Sequence, residues 1–216
     1  MENFLYSFFF GIYMMYDPSQ TIGYFDLETQ YLFEDIKPRW KQMRWREKST
    51  IRDTLTKKLR LAVAGLMDHE GNVKFFTEEN IEELFNALES VDRIIGHNLL
   101  RFDYIVLSPY YSSMDVVEKF QEKTFDTMKE LEKVTGIWTG LEDLGQLNLR
   151  IHKSEDTLKI PAMWRDGKHD EVKAYLRTDL EITKGIYNYG KTKGELKYTH
   201  KEYREIKGVR TVKVHW

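Results

Sequence analysis

Residues 21–31 alternate in a way that predicts a strand: Ile22, Tyr24 and Phe25 read as buried, and Asp26 and Glu28 stand two residues apart among them. Side chains two apart on a strand share a face, so the two carboxylates project side by side. Residues 59–67 and 73–76 are apolar runs joined by the polar stretch 68–72, the pattern of a β-hairpin. Thr77 reads as an N-cap with Glu78 and Glu79 in the first turn, and Ile81, Leu84, Phe85 and Leu88 follow at helical spacing. Residues 93–98 predict a short buried strand that breaks at Asn98. A helix then begins near Phe102, with Asp103 in its first turn, and 104–120 continue as helix with a break near Pro109.

One more short strand is predicted over 123–126, leading into an amphipathic helix through Met128, Leu131 and Val134 that ends at Gly136. A short helix over 141–149 and a polar loop come next. The last long helix, about 168–189, sets Val172, Tyr175, Asp179, Ile182 and Ile186 on one stripe, which leaves Glu181 on the other side. Leu196 to Thr199 and Val209 to Trp216 pattern as a terminal hairpin in which Val212, Val214 and Trp216 share a face. Residues 4–16 are apolar and aromatic, with no Lys or Arg before them and no small-residue cleavage site after them, which disfavours a signal peptide. The expectation there is an extra edge strand, or a segment upstream of a start at Met14 or Met15, so that residues 1–13 need not belong to the native protein.

Charge sharpens one stretch only. The chain carries 33 Lys plus Arg against 35 Asp plus Glu, so no global basic field marks it. Residues 37–52 differ, with seven basic side chains against one acidic, interleaved with Trp40 and Trp45. Phosphate-neutralising charge beside flat stacking surfaces is the combination used on single strands. Trp40, Arg44, Trp45 and Arg46 are therefore candidate nucleic-acid contacts, against a plainer reading as a solvated excursion pinned by its two Trp. Cysteine is absent, which excludes disulfide scaffolds and thiolate metal sites and fits a reducing, cytoplasmic setting. No run approaches the ~18 apolar residues of a membrane span, and 216 residues suit one domain with a small appendage.

The Asp-x-Glu pattern occurs three times, at Asp26/Glu28, Asp68/Glu70 and Asp179/Glu181. The second falls in a turn and the third on opposite sides of a helix. Side-by-side carboxylates among buried neighbours are costly unless a cation lies between them, and oxygen ligands suit Mg or Mn. Asp103 and Asp179 are the remaining candidates, since a carboxylate on an apolar stripe needs a partner. Two divalent ions about 3.5–4 Å apart can clamp the attacking and leaving oxygens of a phosphodiester, and four carboxylates from three elements make a suitable cradle. His97 is read as a satisfied core or loop histidine, and Asp126 is left outside the site.

These residues resemble the three motifs of the DEDD superfamily of 3′-to-5′ exonucleases, on the ribonuclease H-like fold. Phe25-Asp26-Leu27-Glu28-Thr29 matches the first motif, Asn98 with Phe102-Asp103 the second, and Tyr175 to Asp179 the Tyr-x-x-x-Asp third motif of the tyrosine subclass. The likeness covers about residues 20–190 and is nearest to the exonuclease domains of family B DNA polymerases. It implies an α/β fold, a central mixed sheet flanked by helices; residues 1–19, the basic Trp-containing insertion at about 37–52 and the C-terminal β-hairpin appendage of 191–216 fall outside the likeness. It further implies that Asp26, Glu28 and Asp179 bind one of two metal ions, that Asp26 bridges to a second held by Asp103, and that Tyr175 orients the attacking water. Asn98 either shapes its turn or touches the terminal nucleotide. The expected activity is hydrolysis from the 3′ end of single-stranded DNA or RNA, with DNA slightly favoured, and a helicase or polymerase as possible partner. The alternative is a catalytically quiet nucleic-acid-binding module of the same fold.

Overall fold

The computed structural model describes residues 20–112, 114–151, 156–202 and 205–216, so the expectations for 1–19 lie outside it. Among the described residues, five strands form one sheet in the order β3-β2-β1-β4-β5: β1 (Ile22–Thr29), β2 (Leu61–Met67), β3 (Val73–Phe76), β4 (Arg93–Gly96) and β5 (Thr124–Asp126). β1 to β3 are mutually antiparallel, whereas β4 runs parallel to β1 and β5 parallel to β4. The hairpin turn is tied by Asp68, whose Oδ1 accepts from the backbone N–H groups of Glu70, Gly71 and Asn72. That settles the second Asp-x-Glu as turn chemistry.

The alternation along β1 decides what each face meets. Phe25 and Leu27 enter one apolar cluster, with helix α3 (Ile81–Ser90) and helix α4 (Asp103–Leu107). Tyr24 enters the opposite cluster, with the long helix α9 (His169–Lys193). Asp26 and Glu28 continue the face of Tyr24, so they point at α9. Each fully buried side chain of this kind contributes roughly 1.5–3 kcal/mol. Asp26 pairs across the ladder with Gly65 on β2. A Cβ at Gly65 would lie 2.7 Å from Leu180 Cδ1, so glycine there lets Leu180 of α9 pack close to the sheet beside Asp26. Helix α9 starts with Asp170 and Glu171 and stops at Gly194 in the left-handed conformation (φ 66°), with Lys191 and Lys193 in its last turn, each placement favoured by the helix dipole or the C-cap.

A third cluster lies on the far side of α9. Helix α6 (Thr127–Thr135), helix α7 (Leu141–Leu144) and the two-stranded sheet β6 (Glu195–Glu202) and β7 (Glu205–Lys213) meet there. β6 buries Leu196 and Tyr198, whereas β7 is exposed along nearly its whole length. The hairpin is separate from the main sheet and longer than its apolar pattern indicates, because polar residues pair as readily as apolar ones on a solvated ribbon.

Two further elements depart from the pattern. Val134 is 52% exposed, since α6 turns its last turn to solvent. Residues 37–52 are no simple excursion: helix α1 (Phe33–Ile36) is followed by a tight turn at Trp40–Gln42 and helix α2 (Trp45–Thr56). Helix α2 buries only Leu55 and Thr56, so no apolar stripe announces it. Helices α5 (Val116–Phe120) and α8 (Ile160–Arg165) complete the outer layer.

Candidate metal centre and cleft

Strand β1 pairs with β4 only as far as Tyr24 opposite Ile95; β1 then runs on while the chain leaves β4 at Gly96. The two strands part at their carboxyl ends, the place where open α/β sheets bind ligands. A cleft of about 500 Å³ opens there, and Asp26, Glu28, Asp103 and Asp179 all line it. Asp26, Glu28 and Asp179 bring ligand oxygens within 4.8 Å of one another, with Asp26 partly exposed and the other two buried. The period of two on β1 aims the first pair, and the stripe on α9 aims Asp179 back at them.

Asp103 opens α4 and is buried. Burial pushes its carboxyl up to about 8, and the Asp126 charge adds to that. Hydrogen bonds with its own backbone, with the Leu27 backbone and with Asp26 act the other way. Asp103 and Asp26 are therefore in direct contact, a geometry that calls for a shared proton or a cation. The Oδ1 atom of Asp103 is buried with no hydrogen-bond partner. An orphaned carboxylate oxygen beside three clustered carboxylates fits a divalent cation, whose charge offsets the repulsion and whose preferred donors are oxygens.

The walls come from separate elements. Asn98 sits in the left-handed region (φ 72°), which an Asn tolerates better than most residues, and this turn directs the chain from β4 into α4. The turn is clamped by Asp126, whose oxygens accept from the backbone N–H groups of Asn98 at 2.8 Å and Leu100 at 3.1 Å while also capping Met128 and Lys129 at the start of α6. Asp126 lies outside the site expected from the sequence, and its one local signal is its place directly before a helix, the N-cap position. His97 engages Thr127 Oγ1 at 2.8 Å and the Thr139 carbonyl at 2.9 Å through its two ring nitrogens, the structural role expected for it.

Trp40 lines the cleft and stacks on Phe33 with ring centroids 4.7 Å apart. Trp45, by contrast, is 70% exposed, and Arg44, at the N-cap of α2, and Arg46, in its first turn, are exposed too. The tight turn at Trp40–Gln42 therefore separates the two Trp into different roles. Tyr175 is buried one turn before Asp179, with its hydroxyl 2.7 Å from Thr157 Oγ1, and Thr157 in turn lines the cleft.

Fold and cleft together define an α/β protein of ribonuclease H-like architecture with an acidic centre at the carboxyl ends of its strands. No family model and no curated protein matches the sequence. Among solved structures, the fold is similar to that of the family B DNA polymerase from the hyperthermophilic archaeon Pyrobaculum calidifontis, with a TM-score of 0.51 and 10% identity over 81% of this chain. This chain spans 24% of that polymerase. No helix among the described residues is long and apolar enough to cross a membrane.

Proposed function

We propose that the protein is a metal-dependent 3′-to-5′ exonuclease of the tyrosine subclass of the DEDD superfamily, acting on single-stranded nucleic acid, with DNA ahead of RNA. The observation that carries this reading is the meeting of Asp26, Glu28 and Asp179 within 4.8 Å, with Asp103 against Asp26, in one cleft. The ordered motifs that resemble the superfamily supply these same four acids, and the fold is shared with a DNA polymerase chain. In the catalytic unit, residues 20–190, Asp26, Glu28 and Asp179 would hold one divalent ion and Asp103 would hold a second beside Asp26. Mg or Mn there would lower the pKa of the attacking water and offset charge on the leaving oxygen.

The chain's own residues position the strand. The Trp40 face, backed by Phe33, offers a stacking surface for the terminal base, and Asn98 borders the same space. Tyr175, one helical turn before Asp179 and with its hydroxyl bonded to the cleft-lining Thr157, orients the attacking water. Hydrolysis joins that oxygen to phosphorus, breaks the bond to the 3′ oxygen, and returns a 3′ hydroxyl to the shortened strand. Arg44, Trp45 and Arg46 contact the strand outside the cleft, where a helicase or polymerase presents the 3′ end.

The test uses a 5′-labelled single-stranded oligonucleotide, as DNA and as RNA, with Mg or Mn. The expected outcome is a ladder shortening from the 3′ end that Asp26→Asn and Asp179→Asn both abolish. Binding without shortening in either metal would favour the quiet binding module instead.

A further inference from the structure

We infer that a single strand whose 3′ end lies in the cleft runs on across Asn98 and Met128 to a strip formed by Arg101, Lys129, Trp138 and Arg52. This path rests on the proposed exonuclease reading and adds a second nucleic-acid contact centred on Trp138, Arg101 and Lys129, which none of the sequence motifs marks. A small hollow lined by Asn98, Met128, Arg101 and Lys129 shares its first two residues with the cleft, so the two depressions adjoin at Asn98 and Met128. Lys129 and Arg101 are both exposed. Next to it, the Trp138 ring is 53% exposed, with the Arg101 guanidinium 4.8 Å and the Arg52 guanidinium 5.9 Å from its centre.

Exposed tryptophan flanked by two guanidinium groups has the chemistry of a single-strand platform, with a flat face for a base and charge for the adjoining phosphates. The acids of this region do not oppose a polyanion freely. Glu132 is engaged by Trp138 Nε1 at 2.5 Å and by Arg101 at 2.8 Å. Asp126 is buried and spends its oxygens on backbone N–H groups. Arg52 lies on α2 about 10 Å along the axis from Trp45, so the basic insertion meets this path with its far end as well. An unpaired strand presents base faces and phosphates along its whole length, which fits a ring beside two guanidinium groups.

Fluorescence anisotropy in the Asp26→Asn background tests the path, using 5′-fluorescein DNA strands of about 4 and about 16 nucleotides. Trp138→Ala is expected to weaken binding of the longer strand about tenfold, the loss of one stacked base, with no comparable loss for the shorter. Trp138→Phe should retain binding. Arg52→Gln and Arg101→Gln should each lower the slope of log affinity against log salt by about 0.7. Unaltered binding of the longer strand by Trp138→Ala, together with unaltered salt slopes, overturns the path. Equal loss for both lengths overturns it too. If circular dichroism shows that Trp138→Ala is unfolded, the two arginine slopes decide alone. Wild type that shows this length-dependent binding yet shortens no strand would remove the exonuclease reading and leave the path standing.

Discussion

At the scale of single residues, the acidic centre carries its own repulsion. Asp26, Glu28 and Asp179 crowd their oxygens within 4.8 Å, a repulsion that a cation or shared protons would relieve. Asp179→Asn removes one charge, so in chelator the variant is expected to melt higher than wild type. It should also lose most of the rise in Tm that Mg confers on wild type. Differential scanning fluorimetry with and without chelator checks both, and an undiminished Mg response in the variant would argue against this seat for the ion. Asp126 makes the opposite case, a buried carboxylate whose charge is fully spent on four backbone N–H groups. Asp126→Ala should cost about 2–3 kcal/mol in denaturant unfolding, the loss of a cap and of a buried clamp together. The first pair of acids was legible in the chain because a period of two puts them on one face. The clamp was not, because Asn98 and Asp126 meet across 28 positions of sequence.

At the scale of elements, the start of β2 is locked to the segment that leads into α3. Arg60, in the left-handed region at φ 57°, pairs with Glu78, and the Tyr110 hydroxyl bonds Glu78 while accepting from the Leu61 N–H at 3.0 Å. Burial alone would raise the Glu78 carboxyl, but the hydrogen bonds from Arg60 and Tyr110 and the Arg60 charge outweigh it and hold the carboxyl below its ordinary value. A depressed folded pKa contributes stability that is present above the unfolded value of about 4.3 and is lost as pH falls through the folded one. Wild type should therefore exceed Glu78→Gln in Tm near neutrality, and the gap should shrink as pH drops below about 4. A gap that stays constant across a pH series of thermal melts would remove Glu78 from this role. Helix α9 shows how far an element can be read in advance, since its stripe marked Asp179 as buried. Helix α2 shows the limit: it buries two residues at one end, so its periodicity carries almost no signal.

At the scale of the whole molecule, the C-terminal hairpin is fastened back onto the main body by Trp216. Its ring stands 5.3 Å from Phe125 at the end of the sheet and 6.3 Å from Tyr187 on α9. A Cβ at Gly190 would come within 2.4 Å of that ring, so the helix has to be bare there. Trp216→Ala is expected to cost about 2 kcal/mol, below the usual figure for a fully buried Trp because the ring is partly exposed. It should also speed hydrogen exchange in β6 and β7 selectively. Uniform exchange across the chain in that variant would show that the hairpin is held by Leu196, Tyr198 and Val214 without it.

The sequence by itself determined the local periods: a strand that presents Asp26 and Glu28 together, a turn at Asn98 that delivers Asp103, and a helix whose apolar stripe contains Asp179. Local period is written in neighbouring residues, and so is the order of the motifs. Only the tertiary structure decided how the elements meet. It set α9 close over Gly65, placed Asp103 against Asp26, put Trp40 in the cleft and Trp45 in solvent, and brought Arg52 and Arg101 to Trp138. Those contacts join positions tens of residues apart and depend on sheet order, glycine gaps and close packing, none of which leaves a periodic trace along the chain.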